Sequence, residues 1–415
     1  MTGEPAAALR SVEEHLARVL AAARRVETVE TSMDAAHGRT LAEPVRAHVD
    51  IPVFDNSAMD GFAVRFADVA HARPDAPVHL TVVADLPAGT ALDPALSPGQ
   101  AARIMTGSPV PADADAIVPF EDTAGGLADS LGEIAVLAAP RGIGAHIRRA
   151  GEDARVGAEL LPAGIRLGAL QLSAAAAAGV DRVRVARPPR VAVVSTGSEL
   201  VPPGEPLSRG QIPESNSRLL AELCAEAGAE VVLRMTVSDD GDGPARAVAE
   251  ARALRADAVV FSGGVSAGAY EVVKTALADA MEFSKIAMQP GKPQGFGVLD
   301  DGTLLFGLPG NPVSAAVSFE VFVRPALLTM QGRSTTGRPL LRLAAATGWR
   351  TPPERRQYLP LVLDRSDPAH WRAVPATAGG SHLPGGLGRA EAYAIVPAEI
   401  DAVRTGDVVD VMLIT

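Results

Sequence analysis

Residues 258–277 read AVVFSGGVSAGAYEVVKTAL: a short apolar run, a glycine-serine turn, then apolar residues at helical spacing. Gly263, Gly264 and Gly268 remove Cβ atoms where the loop bends, which lets a ligand come within hydrogen-bond reach of the main chain. Ser262 and Ser266 add hydroxyls, and the free N–H groups opening the next helix favour an anion. Taken alone, the stretch is explained equally well as a connection that merely turns the chain. Three other loops carry comparable groups: STGSEL at 195–200, SDD at 238–240, and LPGNPVS at 308–314, which holds Pro309, Gly310, Asn311 and Ser314. In MQPGKPQGFG at 288–297, Lys292 is held between Pro290-Gly291 and Pro293. A lysine pinned in this way beside glycine-rich loops suits an anion anchor. Glu199, Asp239 and Glu271 add carboxylates, and carboxylates beside phosphates commonly hold Mg²⁺ together with the substrate oxygens. Each acid alone can be a solvated charge or a helix cap, and for Asp239 or Asp240 alone that is the better reading. Together the loops favour a phosphorylated ligand.

Two polar clusters stand apart. FDNSAMDGF at 54–62 packs Asp55, Asn56, Ser57 and Asp60 into six positions, and RIMTGSPVP at 103–111 sets Thr106 and Ser108 beside a rigid proline pair. Asp and Asn also tie down turns through their own backbone, so a structural reading of both exists. No Walker loop, no GxGxxG opening a helix, no HExxH and no GxSxG elbow occurs.

The elements that must position these groups are legible from periodicity. VAVVS, EVVLRMTV and DAVVF are valine-rich runs separated by the helical patterns NSRLLAELCAEAG and GPARAVAEARALR. Strands alternating with helices imply a parallel sheet covered on both faces, whose ligands bind outside the carboxyl ends of the strands. All four loops and the carboxylates fall at that edge. Upstream, Ser11 and Glu14 form a capping box that predicts a helix over residues 11 to about 26. From Val45 to about Pro140 the texture changes to short strands such as VHLTVVADL and EIAVLAA, and LGALQLSAAAAAG then predicts a helix ending at Gly179. ARPPR at 186–190 reads as a linker, and YLPLVL, HWRAVPA, EAYAIVPA and DVVDVMLI predict a C-terminal β-barrel or sandwich. The chain divides into 1–50 with 141–187 (a discontinuous helical segment), 51–140 (a β-rich insert), 188–332 (a three-layer α/β/α domain) and 333–415 (a barrel-like β domain).

Composition bounds the rest. At 415 residues the chain is too long for one ordinary core, and 47% hydrophobic with 21% charged residues is globular composition. A net charge of −11 with no basic run argues against nucleic acid. Nowhere do 18 apolar residues run together and the N-terminus has no secretion pattern, so a cytoplasmic protein away from membranes is expected. The single Cys224 fits a helical apolar pattern and is predicted to be buried. Of 38 basic residues only Lys274, Lys285 and Lys292 are lysine, consistent with lysine kept where a compact ammonium is wanted.

FDNSAMDGFAV, RIMTGSPVPADADAIVP, STGSEL, GQIPESNS, FSGGVSAG, PGKP and LPGNPVSAAVSFEVFVRP occur in the order seen in the molybdopterin molybdotransferases. The chain resembles these molybdenum insertases of the MoeA family, which are related to the E domain of gephyrin, from about residue 11 to the C-terminus. The resemblance implies a homodimer of four-domain subunits, with a molybdopterin-binding α/β domain. The implied reaction takes adenylylated molybdopterin and molybdate, cleaves the phosphoanhydride in an Mg²⁺-dependent step, and releases AMP and molybdenum cofactor. The site implied lies between the α/β domain of one subunit and the β insert of the other, and contact with the molybdopterin adenylyltransferase is expected. By position, Asp60, Thr106, Glu199, Asp239 and Glu271 match catalytic residues, the last three as metal ligands. Lys292 and Ser314 match residues associated with molybdate, as do Arg356 and Ser381 in the C-terminal domain. Ser262, Gly263, Gly264, Ser266, Gly291, Pro309, Gly310 and Asn311 match the loops that hold substrate.

Three positions depart from the family's pattern. Glu271 stands where many members carry Asp, Glu214 replaces Asp in the DSNS-like motif, and Gln289 occupies a position that is often a second lysine. The acid exchanges keep charge and lengthen the arm. Gln289 removes a positive charge but still donates hydrogen bonds. Two alternatives share the architecture: adenylylation of molybdopterin, and a scaffold without catalysis.

Overall fold

The computed structural model describes residues 9–128, 130–239, 241–265, 272–376 and 384–414. The central sheet is built from six strands numbered along the chain: β1 (Arg190–Thr196), β2 (Glu230–Val237), β3 (Ala258–Ser262), β4 (Glu282–Lys285), β5 (Pro293–Val298) and β6 (Leu304–Leu308). Their order is β2-β1-β3-β6-β5-β4. The first four lie parallel, three of them the valine-rich runs β1, β2 and β3 and the fourth β6, but β5 and β4 continue the sheet antiparallel. Two glycines in PQGFGV hide β5 from propensity. Their smallness serves packing, because a Cβ on Gly297 would lie 2.0 Å from the Ala280 carbonyl oxygen.

Side chains alternate between two cores, as the pleat of a sheet covered on both faces demands. Val191, Val193, Val260 and Phe306 meet Leu220 and Cys224 of the helix Asn216–Glu226, together with Phe319, Val323 and Leu327. Ala192, Val194, Val259 and Phe261 meet Ala247, Val248 and Ala251 of the helix Gly243–Ala253. Cys224 is fully buried, and burial pushes its thiol up to about 12.

The chain from Pro312 to Met330 forms one 19-residue helical run, apolar on average despite Glu320 and Arg324, with 89% of its most apolar window buried. A turn of π-helix over Phe319–Val323 interrupts it and carries Glu320, 4% exposed, which accepts two 2.9 Å bonds from Arg338. Length and composition alone would let this helix cross a membrane; here it is a core helix.

Outside the sheet, Ser11 caps Val12–Ala22 with the reciprocal Glu14 bond of a capping box. Its buried His15 packs edge-on to Phe322 at 4.7 Å. Thr28–Ser32 pairs antiparallel with Arg182–Ala186, so segments on either side of the β insert meet. The helix Ala169–Ala177 ends before Gly179, whose φ is +77°. The insert forms a five-stranded sheet in the order 116–119, 61–64, 100–104, 78–86, 133–136. The segment ARPPR is no free linker: Arg187 makes a bidentate pair with Asp257 at 2.6 and 2.7 Å, and the Arg190 N–H donates to the same carboxylate. Downstream, strands 340–345, 356–364, 372–375, 392–396 and 408–413 close into a barrel, the last junction being the pairing of 356–364 with 392–396. Met288–Gln289 adds parallel to Arg356–Gln357, which joins the PGKP loop to the barrel.

Candidate active site

The chain runs from β1 out to β2 and returns to β3 on the other side of β1, so a crevice opens at the carboxyl ends of β1 and β3. A cleft of about 770 Å³ lies there. The loops after β1, β2, β3 and β6 all line it, joined by Gln289–Pro293 ahead of β5.

The glycines of the loop after β3 are required by the protein itself. A Cβ on Gly263 (φ +96°) would lie 2.6 Å from Thr196 Oγ1 and 2.7 Å from the Thr196 carbonyl oxygen. One on Gly264 (φ +67°) would lie 3.0 Å from Val273. These glycines therefore let the β1 and β3 loops touch, which shapes the crevice floor. Gly197 acts similarly: Glu199 folds its carboxylate into the space a Cβ would fill, at 2.5 Å.

Glu199 and Asp239 both line the cleft. Asp239 Oδ2 accepts from the Ser198 N–H at 3.0 Å, and the Asp239 N–H donates to Ser198 Oγ at 3.0 Å, a reciprocal lock between the β1 and β2 loops. Glu199 has no hydrogen-bond or ion-pair partner through its carboxylate among the described residues. Glu271 lies outside the described residues, as do Ser266, Gly268, Asp240 and Ser381. Among the described residues no three acids or imidazoles gather as a metal-ligand set.

Lys292 reaches the cleft without an ion-pair partner among the described residues. Its loop is held from beneath by Gln294, a residue sequence reasoning passed over. Gln294 is 1% exposed, and its Nε2 donates to the Gly291 carbonyl and to Ser318 Oγ, both at 2.7 Å. Gly291 has φ +105°, and a Cβ there would press on Met288 and Ser318. Opposite the lysine, Asn311 opens the long helix, Pro312 sits at its first position and Ser314, 4% exposed, in its first turn. The N-terminal dipole and the Ser314 hydroxyl thus share the cleft with the lysine.

Glu214, one of the departing positions, is buried and consumed within the protein. It accepts from Ser195 Oγ at 2.8 Å, the Ser217 N–H at 2.7 Å and Ser217 Oγ at 2.6 Å, which caps the helix Asn216–Glu226. Next to it, Asn216 was missed in the sequence, where it reads as a helix-start residue. Its Nδ2 donates to Ser262 Oγ at 2.7 Å and to the Gly310 carbonyl at 2.6 Å, tying two cleft loops together. Its Oδ1 is buried without a partner.

The barrel places two adjacent arginines near this loop, and neither lines the cleft. Arg356 extends to Glu13 (2.5 Å) on the N-terminal helix and does not line the cleft. Arg355, its neighbour, donates to Gln289 Oε1 at 2.7 Å. The two neighbouring guanidiniums thus have different partners, Arg355 lying just before the strand that Arg356 opens. Gln289, which lines the cleft, has a guanidinium bound to its side chain, a contact set up by the parallel pairing of 288–289 with 356–357.

In the insert, Asp60 Oδ1 accepts from the Thr106 N–H at 2.6 Å. That bond and one from the Thr106 hydroxyl hold the carboxyl below the usual range, so Asp60 is ionised at neutral pH. Neither residue lines the cleft of its own chain. Beside them Val53, Phe54 and Met59 are exposed, 61%, 45% and 36%.

Comparison with known proteins agrees with this arrangement. Residues 10–179 match the MoeA N-terminal region (domain I and II), 192–329 a probable molybdopterin binding domain, and 342–414 the MoeA C-terminal region (domain IV). Molybdopterin molybdenumtransferase 2 of Mycobacterium tuberculosis is 46% identical over 364 residues, covering 86% of this chain and 88% of the relative. Molybdopterin molybdenumtransferase of Bacillus subtilis is 32% identical over 406 residues, covering 97% and 94%. The molybdopterin biosynthesis MoeA protein of Pyrococcus horikoshii superposes with a TM-score of 0.84 at 27% identity over 98% of this chain and all of that one. With three matched regions spanning almost its whole length and the family's fold throughout, the chain belongs to the MoeA family.

Proposed function

We propose that this protein is a molybdopterin molybdotransferase that inserts molybdate into adenylylated molybdopterin and releases AMP. One observation carries the reading: an uncommitted lysine, a buried serine at a helix N-terminus and two carboxylates converge on one cleft at the sheet's switch point. Molybdate is a tetrahedral dianion. Lys292 supplies a point charge and Ser314 a hydroxyl, and Gln289, bound to Arg355, lines the same cleft. The chain's task is then positioning and charge neutralisation, with no covalent enzyme intermediate. The loops after β1, β3 and β6 fix the pterin and its phosphates, and the buried Asn216 Oδ1 accepts a hydrogen bond from the ligand.

Glu199 and Asp239 keep carboxylate oxygens unspent at the cleft edge, and these with Glu271 would hold Mg²⁺, which neutralises the phosphoanhydride oxygens. Asp60 and Thr106 complete the cleft of a second protomer, a reading supported by the apolar surface of Val53, Phe54 and Met59 around them. On this reading the homodimer works in the cytoplasm and receives its substrate from the molybdopterin adenylyltransferase. Ser381 would add a hydroxyl to the oxyanion wall.

The test combines purified protein with adenylylated molybdopterin, Mg²⁺ and molybdate, and measures AMP together with cofactor able to activate an apo-molybdoenzyme. Release of both is expected. Consumption of ATP with free molybdopterin instead would assign the adenylylation step and overturn the reading.

A further inference from the structure

A second cavity, of about 210 Å³, lies where the N-terminal segment meets the turn after the long helix. Its walls come from Arg25, Val26, Thr28, Leu41–Ala42, Ala163–Gly164, Ala186 and Met330–Ser334, and none of the cleft loops contributes. No Asp or Glu lines it, whereas Arg25 and Arg333 do. In a chain with 49 acidic and 38 basic residues, neither guanidinium forms an ion pair among the described residues.

Arg333 is half-buried, and burial, followed by the like charges of Arg166 and Arg324, pulls its pKa down. Its Nε donates to Thr40 Oγ1 at 2.8 Å, and Thr40 in turn donates to Gln331 at 3.1 Å. This chain of bonds fixes the guanidinium while its two Nη groups make no hydrogen bond among the described residues. Arg25 lies over Gly332, where a Cβ would come 3.4 Å from its Cζ at φ +74°, so the glycine makes room for the guanidinium. Arg39, adjacent to Thr40, keeps Nη1 buried with no acceptor. Positive charge is thus concentrated at this junction without a counter-ion.

Most main-chain donors of the walls are already spent. The N–H groups of Val26, Ala42, Gly164, Gly332, Arg333 and Ser334 all donate within the fold at 2.8–3.0 Å. The Ser334 hydroxyl also donates within the fold, to the Gly164 carbonyl at 3.3 Å, so the cationic side chains remain. We propose that this cavity binds a small tetrahedral oxyanion, inorganic phosphate or the phosphate end of a phosphomonoester, held by Arg25 and Arg333. Pockets for drug-sized ligands start at about 300 Å³, so the cavity suits a small anion and not a nucleotide. The site is independent of the cleft, and its occupant clasps residues 25–28 to 332–334.

The experiment titrates inorganic phosphate and, separately, glycerol 3-phosphate into the full chain by calorimetry, in a Lys292→Gln background that weakens oxyanion binding in the cleft. One saturable site is expected. Arg25→Gln and Arg333→Gln should each weaken it at least about tenfold, the loss of one charge-assisted contact. Arg333 braces Thr40, so its variant could perturb the fold; Arg25 is exposed and its variant decides. An Arg25→Gln protein that titrates like its parent overturns the proposal, as does heat that never saturates. Tighter binding of glycerol 3-phosphate assigns a phosphomonoester, and tighter binding of phosphate assigns the free ion.

Discussion

Replacing Gln294 with leucine isolates how the anion-anchoring lysine is held. The side chain is 1% exposed and makes two 2.7 Å bonds, to the Gly291 carbonyl and to Ser318 Oγ. Leucine has similar volume but no donor, so a backbone carbonyl and a hydroxyl lose their partner inside the protein. At about 1–1.5 kcal/mol each, the loss should come to roughly 2–3 kcal/mol. The same carbonyl belongs to the residue before Lys292, at φ +105°, so releasing it lets the PGKP loop relax. The expected result is a molybdate KM raised about tenfold or more, with kcat at saturating molybdate and the affinity for AMP little changed. Denaturant unfolding of the variant and of the Gln294→Leu/Ser318→Ala double variant supplies the control. The two losses should be less than additive, because both act on one bond. An unchanged molybdate KM in a destabilised protein would refute the idea that Gln294 positions Lys292.

Three further outcomes follow from the same structure. Glu320→Leu should destabilise the protein by about 3–5 kcal/mol in denaturant melts, because Arg338 and Arg324, each with a side chain only 16% exposed, lose their shared counter-charge. His15 has its pKa lowered from 6.5 to about 4, first by burial and then by Arg10 and Arg18, against the opposing Glu282. Above about pH 6.5 it adds nothing to the pH dependence; as pH falls the unfolded chain takes up a proton that the folded chain refuses. Stability should therefore drop between about pH 6.5 and pH 4, by roughly 3 kcal/mol, and His15→Leu should flatten that part of the curve measured by thermal melting. Finally, Asp60→Asn and Lys292→Ala proteins should each be nearly inactive, whereas unfolding and refolding them together should restore about a quarter of wild-type AMP release. Half the resulting dimers would be mixed, each with one intact composite site; no recovery would place the whole site within one chain.

Much of the fold follows from local pattern. Val191–Val194 and Ala258–Phe261 announce buried strands because every position in them is apolar. The capping box of Ser11 and Glu14 forms as written. β5 stays hidden because its glycines are chosen for close packing and carry no strand preference. The buried helix Pro312–Met330 is apolar almost all round, so composition alone does not distinguish a core helix from a spanning one. In the cleft, the loops after β1, β2, β3 and β6 were placed together by one rule, that ligands bind at the carboxyl ends of parallel strands. The supporting residues were not. Gln294, Asn216 and Ser318 look unremarkable in sequence because their value lies in partners 3 to 94 positions away.

The sequence by itself determined the parallel α/β core, the glycine turns and the candidate residues Lys292, Ser314, Glu199 and Asp239, since each depends on short-range periodicity or residue type. Tertiary structure alone decided which groups are spent and which are available. Glu214 has both carboxylate oxygens bonded within the protein, whereas the Glu199 carboxylate has no partner among the described residues. Arg356 is drawn to Glu13, whereas Arg355 donates to Gln289. A hydrogen-bond partner 66 or 343 residues distant leaves no local signature, yet it fixes whether a charged group is neutralised or free to meet a ligand.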